Sequence, residues 1–261
     1  MATWHIIFSD LDGTLLDHDT YSFAAAQPAL DLMRKTETPL ILASSKTAAE
    51  IAPIRDAVGF SQYPAIVENG AGLLAANTTP EETDRAECEK IRSALDDLPT
   101  HLREYFRGFG DMSVEGIMQV TGLPSDAAAL AAKRAFSEPG LWSGSDDDRD
   151  EFITRLKEVD ISARDGGRFL TLSFGRTKAD QMADIRTALF DDGKVTTVAL
   201  GDAPNDTEML ITADRGFIVA NPHAKPIDFS TANDSSHISR TDLVGPAGWN
   251  EAVLSVLSAQ N

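Results

Sequence analysis

Two carboxylates, Asp10 and Asp12, stand one residue apart directly after the apolar run HIIF, in the segment FSDLDGTLLD. Like charges this close repel one another unless a cation lies between them. A second acidic segment, GDAPND, places Asp202 and Asp206 directly after the apolar run VTTVAL. Oxygen ligands without histidine or cysteine suit a hard cation, so the two segments together predict a Mg²⁺ site.

Such a site has the groups that phosphoryl transfer requires. A carboxylate can attack phosphorus to form an aspartyl phosphate, and bound Mg²⁺ would neutralise charge between the nucleophile and the phosphoryl oxygens. A second acid can protonate the leaving alcohol, and a lysine can balance the remaining charge. Asp10 and Asp12 supply the acids, and Lys178 is the candidate cation, with Arg176 as a nearby competitor.

Three predicted strands each end in a polar group. They are HIIFSD, which ends at Asp10, PLILASS, which contains Ser44, and VTTVALGD, which ends at Asp202. Near-continuous apolar strands separated by helices indicate a parallel sheet that is covered on both faces. In open sheets of this kind ligands bind beyond the carboxyl ends of the strands, so residues distant in sequence can meet at one edge. The runs PAIVENGAGLL, with a glycine turn, and FIVAN are predicted as further strands.

The middle of the chain has a different pattern. EETDRAECEKIRSALDDL, PSDAAALAAKRAFSEP and DDDRDEFITRLKEV are predicted helices, and ISA and RFLTLSF are predicted strands joined by a Gly166-Gly167 turn. This is an α+β pattern and not a repeating βα pattern. We therefore predict an α/β fold: a Rossmann-like parallel-sheet core of residues 1–80 and 177–261, with an inserted α+β cap of residues 81–176 over the site.

The composition narrows the range of partners. The 261 residues carry a formal net charge of −18, which argues against nucleic-acid and anionic-membrane partners. An anionic substrate would therefore need a locally basic pocket or a bound metal. The single cysteine, Cys88, excludes an internal disulfide and a cysteine-based zinc cluster. No signal-peptide pattern or long apolar stretch is present, so a cytoplasmic protein is expected.

The motifs also resemble those of a known superfamily. DLDGT, the strand-end Ser44, Lys178 and GDAPND, in this order, resemble the haloacid dehalogenase-like phosphohydrolases, and the insert resembles the type IIB cap of that superfamily. The segments ASSKTAAEI, IVENGAG, GFGDMS, TGLP, AFSEP and GGRFL are similar to those of mannosyl-3-phosphoglycerate phosphatases and span most of the chain. Two departures are GRTKADQ, which lacks the usual glycine after the lysine, and Ala203, where serine is frequent.

This resemblance implies a role for each matching residue. Asp10 would be the nucleophile and a Mg²⁺ ligand, and Asp12 the general acid and base, with its backbone carbonyl also on the metal. Ser44 would hydrogen-bond the phosphoryl group, and Lys178 would stabilise its charge. The remaining implied roles belong to residues of GDAPND. Asp202 would be a direct metal ligand, and Asp206 would support the metal through water. Asn205 would orient the phosphate region.

The implied substrate is a glycosyl-3-phosphoglycerate, most simply the mannosyl compound, with the glucosyl compound accepted by related members. Its glycerate carboxylate favours bidentate arginine contacts, for which Arg168 in GGRFL is the first candidate. Arg164 and Lys46 are the next candidates. Glu68 and Asn69 in VENGAG are expected to bind sugar hydroxyls.

Three alternatives remain open at this point. One is a phosphatase of another sugar phosphate, and another is a sugar phosphomutase with the same core. The third is a non-catalytic sensor of a phosphorylated metabolite. The sequence does not decide the sugar, its anomeric form or the oligomeric state.

Overall fold

The computed structural model describes residues 4–190, 194–229 and 235–258, which form two sheets, a short hairpin and their covering helices. In chain order the strands are β1 (Trp4–Ser9), β2 (Leu40–Leu42), β3 (Ala65–Val67), β4 (Gly72–Leu74), β5 (Phe106–Gly108), β6 (Ser137–Trp142), β7 (Ser162–Gly166), β8 (Phe169–Ser173), β9 (Val195–Gly201), β10 (Arg215–Ala220) and β11 (Ile238–Val244). The helices are α1 (Gln27–Lys35), α2 (Ala48–Val58), α3 (Ala86–Asp96), α4 (Thr100–Arg103), α5 (Val114–Thr121), α6 (Ser125–Ala131), α7 (Asp146–Lys157), α8 (Lys178–Leu189), α9 (Thr207–Thr212) and α10 (Gly245–Ser258).

The core sheet has the strand order β11-β10-β9-β1-β2, and all of its pairings are parallel. From β1 the chain goes outward to β2 on one side and later returns to β9 on the other, so β1 and β9 flank a topological switch point. Ser9 pairs with Leu200 in this register. The residues that follow β1 and β9 therefore emerge side by side, where α/β proteins bind their ligands.

Alternate side chains of the core strands pack into two separate helical layers. Ile7 faces the cluster that contains Leu30 of α1 and Trp249 of α10. Ile6 and Phe8 face the opposite cluster, with residues of α8 and α9. Both faces of β1 are thus buried, which accounts for the continuous apolar run that precedes Asp10.

A separate antiparallel sheet with the order β5-β6-β8-β7 forms the middle of the chain. Helices α3 and α7 pack on it through Ile91 and Phe152, and α5 and α6 form a smaller cluster around Ile117. The predicted combination of a parallel-sheet α/β core and an inserted α+β cap is confirmed. The hairpin of β7 and β8, with its turn at Gly166 and Gly167, is present as predicted.

Several element predictions were wrong in detail. The run PAIVENGAGLL is not one strand but the antiparallel pair β3 and β4, joined through a 3₁₀ turn at Glu68–Gly70. An isolated parallel bridge joins Ala43, the residue after β2, to Ile66 of β3. The predicted helix PSDAAALAAKRAFSEP ends at Ala131, and its last residues begin β6.

The segments β5, α5, β11 and α10 had no prediction, although α10 supplies the fully buried Trp249. The sequence also predicts a helix over TKADQMADIRTALFDDGK. Most of it forms α8, and its residues 191–193 lie outside the described part of the chain. The exact cap limits, residues 81 and 176, stay a prediction. Within the described ranges no helix has the length and apolar character needed to cross a bilayer.

Candidate active site

The carboxylates predicted to share a cation do converge. Asp10 follows β1, and its backbone N–H donates to Leu200 O of β9 at 2.9 Å, which brings Asp10 beside the end of β9. Asp10, Asp202 and Asp206 are all buried, and one oxygen from each lies within 4.8 Å of the others. Sheet pairing therefore brings together groups that are almost 200 residues apart in sequence.

Asp206 is held in place by the turn in which it lies. The segment Pro204–Asp206 forms a 3₁₀ turn after β9. The Oδ2 atom of Asp206 accepts the backbone N–H groups of Asp202 and Ala203 at 3.1 and 3.2 Å, and its side chain is completely buried. The GDAPND segment thus folds around its own last carboxylate.

Lys178 is the cation of this cluster. It is the first residue of α8, which begins here because the Thr177 side chain caps the helix in a reciprocal box with Asp180. The Nζ atom of Lys178 donates to Oδ1 of Asp10 and to Oδ1 of Asp206, each at 2.7 Å. Arg176 instead pairs with Asp184 on the protein surface, so the structure separates the two candidate cations.

The charges of the cluster do not balance. Three buried carboxylates surround one ammonium group. Burial and the repulsion of Asp206 raise the pKa of Asp10 well above its usual value, although Lys178 opposes this change. Burial also raises the pKa of Asp202, while the attraction of Asp10 and Asp206 raises that of Lys178 despite its own burial.

The imbalance fits a divalent cation. Lys178 bonds only one oxygen of Asp10, so within the described residues Oδ2 of Asp10 has no hydrogen-bond partner. An all-oxygen set of this kind suits Mg²⁺, which keeps several waters and takes few protein ligands. Asp10 and Asp202 are placed to act as such ligands. Asp206 accepts from Lys178 on its Oδ1 atom and from backbone N–H groups on its Oδ2 atom, so its carboxylate holds the lysine and its own turn in place.

Asp12 lies at the open side of the cluster and pairs with Lys46. The Nζ atom of Lys46 is 2.9 Å from Oδ2 of Asp12 and lies over the ring of Tyr21. Burial acts to lower the pKa of Lys46, but the Asp12 carboxylate outweighs it and the pKa is raised. Among the described residues, the Oδ1 atom of Asp12 is buried without a hydrogen-bond partner. A buried carboxylate oxygen in this state is suited to bond a group of a substrate.

The carboxyl edge of the core sheet also carries Ser44 and the two candidate ligands Asn69 and Asn205. Ser44 is buried after β2, and its Oγ accepts the backbone N–H of Lys46 at 3.3 Å. The N–H of Asn69 donates to Ser44 O at 2.9 Å, and Asn205 Nδ2 donates to Asn69 Oδ1 at 3.3 Å. Hydrogen bonds therefore connect the polar groups that follow β2, β3 and β9.

Glu68, which was expected to bind sugar hydroxyls, instead makes contacts with the cap that were not predicted. Its carboxylate is buried and accepts the backbone N–H groups of Ala135 and Phe136 at 2.9 and 3.2 Å, and the hydroxyl of Ser137 at 2.5 Å. Arg134, from the same cap segment, donates to Ser45 O at 3.0 Å. Glu68 thus ties the segment before β6 to the core, and both of its oxygens are already engaged.

The two candidate arginines of the cap have different surroundings. Arg164 on β7 lies 3.5 Å from Glu208 of α9, and both side chains are more than half exposed. This contact crosses from the cap to the core beside the GDAPND turn. Arg168 donates to Val120 O at 2.6 Å and is exposed, so it is bonded within the cap.

Two residues that had no predicted role hold Asp202 in place. Thr14 donates from its hydroxyl to Oδ1 of Asp202 at 3.0 Å, and Asn221 donates from Nδ2 to Oδ2 at 2.7 Å. Asn221 follows β10, so the rule of polar groups at strand ends could have identified it. Gly13 lies between these contacts with φ +77°, and a Cβ there would meet Asn221 Nδ2 at 2.2 Å. Only glycine fits this close approach.

The parallel-sheet core, the α+β cap and a carboxylate cluster with a buried lysine define the class of the protein. Residues 7–114 match the family of haloacid dehalogenase-like hydrolases. A solved structure of a subclass IIB sugar phosphatase of this superfamily superposes with a TM-score of 0.63 at 15% identity, covering 97% of this chain and 99% of that one. The type IIB cap expected from the sequence is thereby confirmed at the level of the fold.

Two similar proteins identify the family within this superfamily to which the chain belongs. A glucosyl-3-phosphoglycerate/mannosyl-3-phosphoglycerate phosphatase of Methanococcoides burtonii is 32% identical over 98% of both chains. A protein of the same name from Persephonella marina is 33% identical over 97% of both chains. The chain belongs to this family of phosphatases, and it is a phosphoric monoester hydrolase. The resemblance inferred from the motifs is confirmed.

Proposed function

We propose that the protein is a Mg²⁺-dependent phosphatase that hydrolyses a glycosyl-3-phosphoglycerate, most simply the mannosyl compound, to the glycosylglycerate through an aspartyl phosphate. The observation that carries this proposal is the buried cluster of Asp10, Asp202 and Asp206 around Lys178, in which one oxygen of Asp10 stays available. A phosphoryl group needs both a nucleophile and compensation of its charge, and this cluster supplies both.

The reaction divides into two displacements at phosphorus. One carboxylate oxygen of Asp10 attacks phosphorus, the bond to the substrate oxygen breaks, and Asp12 gives its proton to the leaving alcohol. Asp12 then takes a proton from water, whose oxygen attacks phosphorus. The bond from phosphorus to Asp10 breaks, which regenerates the Asp10 carboxylate and releases inorganic phosphate. Lys178 and Ser44 hold the phosphoryl oxygens. Mg²⁺, held by Asp10, Asp202 and the backbone carbonyl of Asp12, would neutralise charge between the nucleophile and the phosphoryl oxygens.

The names of the two relatives support a phosphorylated sugar-glycerate as substrate. Such a substrate carries a carboxylate besides its phosphate, and Lys46 is the cation nearest to Asp12 that can meet it. Arg164 and Arg168 project from the cap and are proposed as further contacts to the anionic end. Asn69 and Asn205 are proposed to contact the phosphate and sugar region, whereas Glu68 would reach the sugar only by releasing the cap segment.

A substrate panel tests the proposal. Phosphate release is measured with mannosyl- and glucosyl-3-phosphoglycerate, 3-phosphoglycerate and hexose phosphates, each with Mg²⁺ and with EDTA. We expect a much higher kcat/KM for the glycosyl-3-phosphoglycerates, and no turnover in EDTA.

Equal kcat/KM values for hexose phosphates would overturn the proposed substrate, and turnover in EDTA would overturn the metal dependence. Transfer of labelled phosphate between sugar positions without release would instead favour a phosphomutase. The Asp10→Asn variant serves as the inactive control.

A further inference from the structure

A second group of metal-ligating side chains lies apart from the carboxylate cluster. His18 and Asp19 belong to the loop after β1, and His223 belongs to the loop after β10. One ligand atom of each lies within 4.8 Å of the others, and all three residues are exposed. The rings of His18 and His223 stack with their centroids 4.3 Å apart and their planes 8° apart. Two histidines about 200 residues apart in sequence therefore meet face to face.

Both loops are fixed by hydrogen bonds of their own. Asp17 accepts the backbone N–H groups of Asp19 and Thr20 on its Oδ1 atom, at 3.3 and 2.9 Å. Asn221 accepts the N–H of His223 on its Oδ1 atom at 2.9 Å. The backbone positions of the three candidate ligands are thus set in advance, and only exposed side chains remain to be arranged.

We propose that His18, Asp19 and His223 form a second cation site, which binds a borderline transition-metal ion such as Ni²⁺ or Zn²⁺. Two imidazole nitrogens and one carboxylate oxygen suit such ions, whereas Mg²⁺ favours oxygen ligands alone. The two proposed sites of the protein therefore differ in the class of ion that they select. The net charge of −18 further favours the accumulation of cations near the surface.

The geometry needs one local change before an ion can bind. Zinc lies about 2.0–2.1 Å from a histidine nitrogen and about 2.0–2.2 Å from a carboxylate oxygen. Donors around one ion are then roughly 3–3.5 Å apart. The ligand atoms of the three residues lie within 4.8 Å of one another, so they must move closer together. The two rings must turn out of their parallel stack so that their nitrogens point to one place. Rotation about χ1 and χ2 of exposed histidines permits this. Three protein ligands leave a fourth position for water.

This site adjoins the carboxylate cluster without sharing a ligand with it. Asn221 accepts from the backbone of His223 through Oδ1 and donates from Nδ2 to Asp202 at 2.7 Å. One amide therefore connects the loop of the second site to a proposed Mg²⁺ ligand. The two proposals remain separable, because binding at the histidines is measured without turnover.

Calorimetric titration with Ni²⁺ at saturating Mg²⁺, on protein without a histidine tag, tests this site. We expect wild type and Asp10→Asn to bind one equivalent of Ni²⁺ with equal affinity. His18→Ala and His223→Ala should each weaken binding by more than about 100-fold, the upper end of what loss of an outer partner costs. His101→Ala, which changes another exposed histidine, is the matched control and should bind as wild type. Circular dichroism checks that each variant is folded.

Electron paramagnetic resonance with Cu²⁺ gives an independent readout. The wild-type spectrum should show coupling to two nitrogens, and each single histidine variant should lose one of them. Ni²⁺ binding that is unchanged in both His18→Ala and His223→Ala would overturn the proposal. So would Ni²⁺ binding that is lost in Asp10→Asn, since the ion would then occupy the carboxylate cluster.

Discussion

At the scale of single residues, Lys178 is the group on which the candidate site depends. It is buried with two carboxylates at 2.7 Å, and no other cation contacts Asp10 or Asp206 within the described residues. Arg176, two residues earlier, has its partner Asp184 at the surface. Lys178 and Arg176 therefore allow a direct comparison of a buried and an exposed cation in one segment.

Lys178→Met should abolish turnover, because the phosphoryl charge and the Asp10 carboxylate both lose their compensation. Removing one partner of a buried ion pair also costs about 3–5 kcal/mol of stability. Steady-state kinetics and urea unfolding measure the two effects. Arg176→Met is the matched control and should leave both near wild type. Equal losses in the two variants would contradict the assignment of Lys178.

Asp10→Asn should lower kcat by several orders of magnitude, because an amide cannot form an acyl phosphate. The fold should persist, since the amide still fits the buried position after β1. Asp147→Asn, on the exposed first turn of α7, controls for loss of a negative charge. Near-normal kcat in Asp10→Asn would show that another group is the nucleophile.

At the scale of elements, short turns after the core strands determine which side chains reach the site. The Glu68–Gly70 turn is an example, because Glu68 and Asn69 both have positive φ angles. Gly70 packs against the start of α8, where a Cβ would lie 2.0 Å from Thr177 C. The turn thereby holds Glu68 towards the cap and braces the first turn of α8, which carries Lys178.

Glu68→Ala should destabilise the protein by several kcal/mol, since each buried donor left without a partner costs about 1–3 kcal/mol. Three donors from Ala135–Ser137 would lose their acceptor. Urea unfolding measures the loss, with the exposed Glu89→Ala as control. A variant that is as stable as wild type but has a raised KM would instead support the role of Glu68 as a sugar ligand.

The sequence was informative where one periodicity or motif dominated. Continuous apolar strands that end in polar groups placed Asp10, Ser44 and Asp202 at one edge of the sheet, and the order of motifs identified Lys178. The hairpin of β3 and β4 was missed because its glycines and apolar residues also fit one interrupted strand. The contacts of Glu68 were missed because they join segments almost 70 residues apart, which no local pattern records.

For the molecule as a whole, the acidic chain has an unbalanced negative cluster at the carboxyl edge of its core sheet. Burial raises the pKa of Asp10 and Asp202, and the charge of Asp206 acts in the same direction. A carboxyl group whose pKa is raised by folding stabilises the folded state while it is protonated. This contribution is lost as the pH rises through the pKa of the folded state.

Mg²⁺ should therefore raise Tm more at about pH 8 than at about pH 5, because it binds carboxylates only in their ionised form. Differential scanning calorimetry with and without Mg²⁺ at both pH values measures this difference. The Asp202→Asn variant should show a smaller effect of Mg²⁺ at the higher pH. A Mg²⁺ effect that is equal at both pH values would contradict binding at the cluster.

The proposed function requires that carboxylates directly after β1 and β9 hold Mg²⁺ beside a nucleophilic Asp10. A crystal structure with Mg²⁺ and beryllofluoride tests this arrangement most directly. We predict Mg²⁺ bound to Asp10 and Asp202, and beryllium joined to the carboxylate of Asp10, with Lys178 and Ser44 at its fluorines. Mg²⁺ absent from these carboxylates, or beryllofluoride bound to another residue, would contradict the account.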